Sequence, residues 1–133
     1  MDKIINHVTC RSASVLTISM EKLASQAAKQ MRDNKLSALV VVNGKENWGI
    51  ITETDLSRKI IADDLDPKKT KVKFVMSKPI VTIDSQLTMI SAFVKMGANG
   101  IRNIAVSKED KIIGILTVKD FVTYYTEKYG PKK

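Results

Sequence analysis

The sequence predicts an α/β (α+β) protein built from two copies of one β-α-β-β-α unit. Three observations carry this. The stretch Gly49-Ile50-Ile51-Thr52-Glu53-Thr54-Asp55-Leu56 returns later in the chain as Gly114-Ile115-Leu116-Thr117-Val118-Lys119-Asp120-Phe121. The same offset of 65 relates Thr17 to Thr82, Ala27 to Ala92, Met31 to Met96, Leu36 to Ile101, Leu39 to Ile104 and Val41 to Val106. Within each copy, apolar residues pass from helical spacing to short β-branched runs. Two copies make a duplicated domain and not a solenoid. The repeats divide at 1–66 and 67–133, and two half-exposed sheets pack most simply about a pseudo-twofold axis.

In chain order, residues 1–14 are a lead-in with little periodicity. Residues 15–18 read as a short strand, with Ser19 as an N-cap. Over 20–34, Leu23, Ala24, Ala27, Ala28 and Met31 fall on one helical face whose buried stripe is small. Leu39-Val40-Val41-Val42 is a buried strand, Asn43-Gly44 a hairpin turn, and 48–51 the return strand. A helix follows over 53–62 and ends in the acidic turn Asp63-Asp64-Leu65-Asp66-Pro67. The second copy repeats this order. Its hairpin turn is Lys108-Glu109-Asp110, and its last helix, 118–128, carries Phe121, Val122, Tyr124 and Tyr125. Trp48 is expected to pack on the sheet, and the methionines to fill the core.

Composition bounds the function. The chain has 133 residues, enough for a real core, with 44% hydrophobic and 27% charged residues as in a water-soluble globular protein. No apolar run approaches the ~18 residues that span a bilayer, and the N-terminus lacks a signal-peptide pattern. The cytoplasm is the expected location, with no membrane partner. One cysteine, Cys10, excludes an internal disulfide, and one histidine, His7, leaves no zinc cluster. Asp63, Asp64 and Asp66 lack the glycine and distal glutamate of a calcium loop, so no metal site is expected. The net charge of +8 comes mainly from 18 scattered lysines, with a cluster at Lys68, Lys69, Lys71 and Lys73. It reads as a solvated surface, with a nucleic-acid footprint as the alternative. No catalytic constellation or glycine-rich phosphate loop is present, so the chain is not expected to be an enzyme.

The motif repeated at the end of each unit is Gly, two apolar residues, Thr, two residues, then Asp. A Thr followed three residues later by an acid is a capping box, satisfying helix-start donors. A strand running into a helix also offers free N–H groups to an anion such as phosphate. Both roles can coexist.

This unit, together with Gly100-Ile101-Arg102-Asn103-Ile104-Ala105-Val106, resembles the CBS domain, named after cystathionine β-synthase. Two in tandem look like a Bateman module, and the resemblance covers essentially the whole chain. It implies a stand-alone regulatory sensor that binds AMP, ADP, ATP or a related adenosyl ligand in clefts between the repeats, with no required cofactor. Asp would accept hydrogen bonds from ribose hydroxyls while Thr offers its hydroxyl to phosphate. Carried over by position, the first cleft would use Ile50, Thr52, Asp55, Ile80, Val81, Ile101, Arg102, Asn103 and Lys119. The second would use Val15, Leu16, Leu36, Ser37, Ala38, Ile115, Thr117 and Asp120. Arg102 and Lys119 give only the first cleft cationic donors, which favours phosphate-bearing ligands there. Ser37 and Thr54 stand at the matching places of the second. Ala105 and Val40 depart from the family's frequent proline, and Arg11 stands opposite Met76. The helical faces around Phe121, Tyr124 and Tyr125 are expected to be exposed and favour a homodimer. The resemblance implies pairing of such modules through their helices and a separate protein partner for output. The alternative is a basic nucleic-acid-binding or scaffolding dimer whose clefts are vestigial.

Overall fold

A computed structural model describes residues 2–8 and 16–131. It is a mixed α/β protein with two three-stranded sheets. The chain divides into two compact units, one of residues 15–81 and one of 1–14 with 82–133.

In the unit of residues 15–81, β1 (Thr17–Ser19) pairs in parallel with β2 (Ala38–Asn43), and β2 pairs antiparallel with β3 (Glu46–Thr52). The hairpin turns at Gly44, whose φ of 61° lies in the left-handed region open to glycine. Helix α2 (Ala24–Asn34) buries Ala24, Ala27 and Met31, which join Ile18, Leu39, Val41 and Ile51 in one core. Ala28, expected on the buried stripe, is exposed.

Helix α2 starts at Ala24 and not at residue 20, because Met20 and Lys22 are already paired. Their carbonyls accept from the Lys73 and Val72 N–H groups at 3.0 and 2.7 Å. The first free N–H groups of α2, those of Ala24 and Ser25, donate to the Thr70 and Pro67 carbonyls, which answers the unmet donors of a helix start. The Gln26 side chain accepts from the Leu23 N–H at 2.9 Å. Ser19 is therefore not the N-cap; its hydroxyl accepts from the Glu21 N–H within a turn. After β3 the chain forms α3 (Glu53–Asp55), which widens without a break into a π-helical stretch, Leu56–Ile61. A short 3-10 turn, Val72–Phe74, leads to residues 75–77. There Ser77 forms a bridge with Ile50 on β3.

The other unit repeats the plan with β4 (Thr82–Asp84), α4 (Met89–Asn99), β5 (Asn103–Lys108), β6 (Lys111–Thr117) and α5 (Val118–Tyr129). Its β4–β5 pair is parallel and its β5–β6 pair antiparallel, with a register shift at Val106/Ser107 matching that at Val41/Val42. Position-matched contacts recur, one with a changed donor and one with the same. Gln30 donates to the Thr17 carbonyl, and Lys95 to that of Thr82. Asn34 and Asn99 each donate to the carbonyl four residues back.

Residues 2–8 of the lead-in have a defined place in this unit. It contains a helical turn, α1 (Ile5–Val8), and Ile4 is fully buried. The Ile4 and Ile5 N–H groups donate to Leu87 and Ser85, and the Met89 N–H at the start of α4 donates to Asp2. Each compact unit is thus completed by the stretch that precedes the other repeat's first strand: 67–73 caps α2, and 2–5 caps α4. Compact units and sequence repeats are cut at different places for that reason.

Two aromatic expectations change. Trp48 is 39% exposed near the start of β3, with its indole N–H donating to Glu46 at 3.2 Å. Tyr124, expected on an exposed helical face, is buried. Its hydroxyl donates to the Asp2 carboxylate, which also accepts from the Lys128 ammonium at 2.6 Å.

Candidate functional site

At Thr52 the backbone is still extended, with φ −125° and ψ 167°, and the next residue is helical. This geometry turns the Thr side chain back over the first helical N–H groups. The Thr52 hydroxyl accepts from the Asp55 N–H at 3.1 Å. One Asp55 oxygen, Oδ2, accepts from the Thr52 N–H at 3.0 Å and from its hydroxyl at 3.2 Å. Asp55 is 4% exposed.

Thr117 and Asp120 reproduce the arrangement at the end of β6. Thr117 has φ −123° and ψ 167°. Its hydroxyl accepts from the Asp120 N–H at 3.1 Å, and Asp120 Oδ2 accepts from the Thr117 N–H and hydroxyl at 2.8 and 3.1 Å. Asp120 is 8% exposed. Both motifs therefore act as capping boxes. A capping box alone does not require burial of its acid, and here both acids are buried at the mouth of a strand.

The junctions differ beyond the cap. Asp55 Oδ1 accepts from the Ser77 hydroxyl at 2.7 Å and lies 3.0 Å from the Lys59 ammonium. Four residues beyond Asp120 stands Tyr124, whose hydroxyl is turned to Asp2. Ser12, which matches Ser77 in the other repeat, is outside the described residues. Sequence reasoning missed both Ser77 and Lys59 as neighbours of the first junction. The Asp55–Lys59 spacing of i,i+4 on a helix was a usable signal. Ser77 carried none, because 22 residues separate it from Asp55.

The remaining candidates are placed within their own units. In the unit of 15–81, Ala38 and Ile50 are buried, while Leu16, Leu36, Ser37, Ile80 and Val81 are half-buried. The Ser37 carbonyl accepts from the Glu53 N–H at 3.1 Å, so Ser37 adjoins the Thr52 junction. Val15 lies outside the described residues, as do Cys10 and Arg11. In the other unit, Ile101, Asn103 and Ile115 are half-buried, and Arg102 and Lys119 are exposed. The Arg102 carbonyl accepts from the Val118 N–H at 3.1 Å and so adjoins the Thr117 junction. No described helix is long and apolar enough to cross a membrane.

Comparison with known proteins accounts for the duplication. The family model for the CBS domain matches twice, over residues 8–62 and 72–127. An uncharacterised protein of Methanopyrus kandleri is 33% identical over 110 residues, covering 81% of this chain and 56% of that protein. A mitochondrial CBS domain-containing protein of Arabidopsis thaliana is 37% identical over 101 residues, covering 72% of this chain and 49% of that protein. The chain thus spans about half the length of these relatives. Among solved structures, a putative signal-transduction protein with CBS domains from Burkholderia ambifaria superposes with a TM-score of 0.88 at 22% identity, covering 97% of this chain and 95% of that one. That likeness concerns the fold. A hexameric CBS-CP12 protein from bloom-forming cyanobacteria superposes with a TM-score of 0.83 at 28% identity, covering 98% of this chain and 72% of that one.

Proposed function

The chain belongs to the CBS-domain family, whose tandem modules are regulatory and ligand-binding, and from that premise we propose that it senses adenine nucleotides. AMP, ADP, ATP or a related adenosyl compound is the ligand class. The observation that carries this reading is the pair of buried acids, Asp55 and Asp120, each set beside a Thr hydroxyl at the end of a strand. A buried carboxylate with hydroxyl-bearing neighbours suits a vicinal diol, since an ionised carboxylate only accepts and a ribose offers two donors. The N-terminal end of the 12-residue helix α5 carries partial positive charge, which favours an anion near Thr117. Arg102 and Lys119, both exposed, supply cationic donors for phosphate, as charge-assisted hydrogen bonds are the stronger ones. Each unit also has half-buried apolar residues for a base, Ile80 and Val81 in the one and Ile101 and Ile115 in the other.

Output passes through a partner protein, and a second copy of the chain is one partner. Helices α4 and α5 leave Ile90, Val94, Val122, Tyr125 and Tyr129 exposed. At the matching positions of the other repeat stand Ser25, Lys29, Ser57, Ile60 and Asp64. Self-association through α4 and α5 follows from that contrast, and assembly of the related CBS-CP12 protein into hexamers supports it.

Calorimetric titration of AMP and of ATP into wild type, Asp55→Asn and Asp120→Asn tests the reading. Micromolar binding that each substitution removes in part is the expected result. No heat from folded protein with either nucleotide rejects it and turns attention to the basic-surface alternative. That alternative requires nucleic-acid binding that falls steeply with salt yet survives at moderate ionic strength.

A further inference from the structure

Asp55 is fully engaged before any ligand arrives. A carboxylate has about four acceptor sites, and four donors already address this one: the Thr52 N–H and hydroxyl, the Ser77 hydroxyl and the Lys59 ammonium. Two ligand hydroxyls are accepted there only if a present donor leaves. The Thr52 donors are tied to the helix start, and Ser77 is held by its bridge to Ile50. Lys59 differs from both. Its side chain is 41% exposed, so water can take over the solvation of the ammonium once it moves.

The same ammonium holds more than Asp55. It donates to the Val75 carbonyl at 3.0 Å, with the Ser77 hydroxyl at 3.4 Å and the Met76 carbonyl at 3.5 Å. One cation thus ties the candidate ligand acid to residues 75–77.

We propose that Lys59 is a built-in competitor for the ligand at Asp55: a vicinal-diol group binds there by displacing the ammonium, which at the same time lets go of residues 75–77. The inference rests on the reading of Asp55 as a ligand residue. It makes the two junctions unequal, since the position four residues beyond Asp120 is held by Tyr124 and not by a lysine. Lys59 sets both the affinity of the first junction and the local change that binding causes.

The test uses the Asp120→Asn background, so that the first junction alone reports. AMP and ATP are titrated into that protein and into its Lys59→Met and Lys59→Gln derivatives. The expected result is binding about tenfold tighter with Met, the size of one partly exposed charged hydrogen bond removed from the competition. Gln, which keeps a donor without the charge, falls between. Binding that is equal or weaker in both variants overturns the competition, and weaker binding would make Lys59 a ligand contact. No binding by any of the three overturns the ligand reading itself, an outcome distinct from wild-type-strength binding. Amide exchange without ligand reads the second part of the claim. The Ser77 and Ile50 amides should exchange about tenfold faster in Lys59→Met, by loss of a local tether, and an unchanged rate overturns the hold on residues 75–77.

Discussion

A β-carbon on Gly49 would stand 2.8 Å from the Ser77 carbonyl oxygen and 2.9 Å from the Met76 sulfur. That close approach lets Ile50 and Ser77 exchange backbone hydrogen bonds of 3.0 and 2.8 Å, and it delivers the Ser77 hydroxyl to Asp55. Gly49→Ala should push residues 76–77 off β3 and cost about 1–3 kcal/mol, as overpacking against backbone does. Gly97→Ala is the matched comparison. A β-carbon there meets nothing within 4 Å, and in α4 it should gain about 0.5–1 kcal/mol from helix propensity. Urea unfolding of both variants checks the pair, and equal effects would refute the close-approach account.

The capping geometry predicts a graded response at both junctions. Thr52→Ala and Thr117→Ala each remove an acceptor for the Asp N–H and a donor to a buried carboxylate. A loss of about 1–2 kcal/mol of stability is expected for each. Thr→Ser at either position keeps the hydroxyl and should recover most of it. Unfolding midpoints at matched slope read this directly, and a Ser variant as unstable as Ala would show that the Thr methyl, not the hydroxyl, matters.

The N-terminal tie to α5 makes stability depend on acid. The Lys128 ammonium and the Tyr124 hydroxyl, both bonded to the Asp2 carboxylate, lower its pKa from the usual 3.8 to about 2. A carboxyl depressed on folding stabilises the protein above its unfolded pKa and loses that contribution as pH falls through the folded one. This contribution is therefore complete above about pH 4 and is lost toward pH 2. Asp2→Asn should flatten that part of a plot of Tm against pH. Glu21 shifts the same way, because Lys71 and Lys73 both bond to its carboxylate at 2.8 and 2.9 Å. An Asp2→Asn difference from wild type that stayed constant between about pH 5 and pH 2 would count against the tie.

What could be read from the sequence was local or repeated. Thr52 and Asp55 sit at i and i+3, so their motif carries its own geometry, and its recurrence as Thr117 and Asp120 set the order of strands and helices. Contacts of long sequence separation were invisible. The start of α2 is set by the distant stretch 70–73, so Ser19 looked like a cap that it is not. Tyr124, expected on an exposed helical face, is buried, its ring against His7 and Phe93 and its hydroxyl donating to Asp2, 122 residues away. Around Asp55 the sequence showed the Thr, yet Ser77 reaches it only because β3 pairs with residue 77.

One buried group in the second unit has no such partner. Ser85 is fully buried, and its hydroxyl finds no hydrogen-bond partner among the described residues. Its backbone is well used, since its N–H donates to Ser107 at 2.8 Å and its carbonyl accepts from Ile5 at 2.9 Å. The position is thus fixed by the main chain while the side chain carries an unrepaid desolvation cost of about 1–3 kcal/mol. Ser85→Ala removes the hydroxyl, keeps both backbone bonds and leaves only a small void. It should be neutral or stabilising by up to about 1 kcal/mol, since part of the gain offsets lost packing. Ser85→Val fills more than the space freed and should be destabilising by about 1–3 kcal/mol. Thermal and urea unfolding of the two variants separate these effects. An alanine variant that loses more than about 1 kcal/mol would mean that the hydroxyl is satisfied after all, by water or by a residue outside those described, because only a lost hydrogen bond gives so small a change that cost.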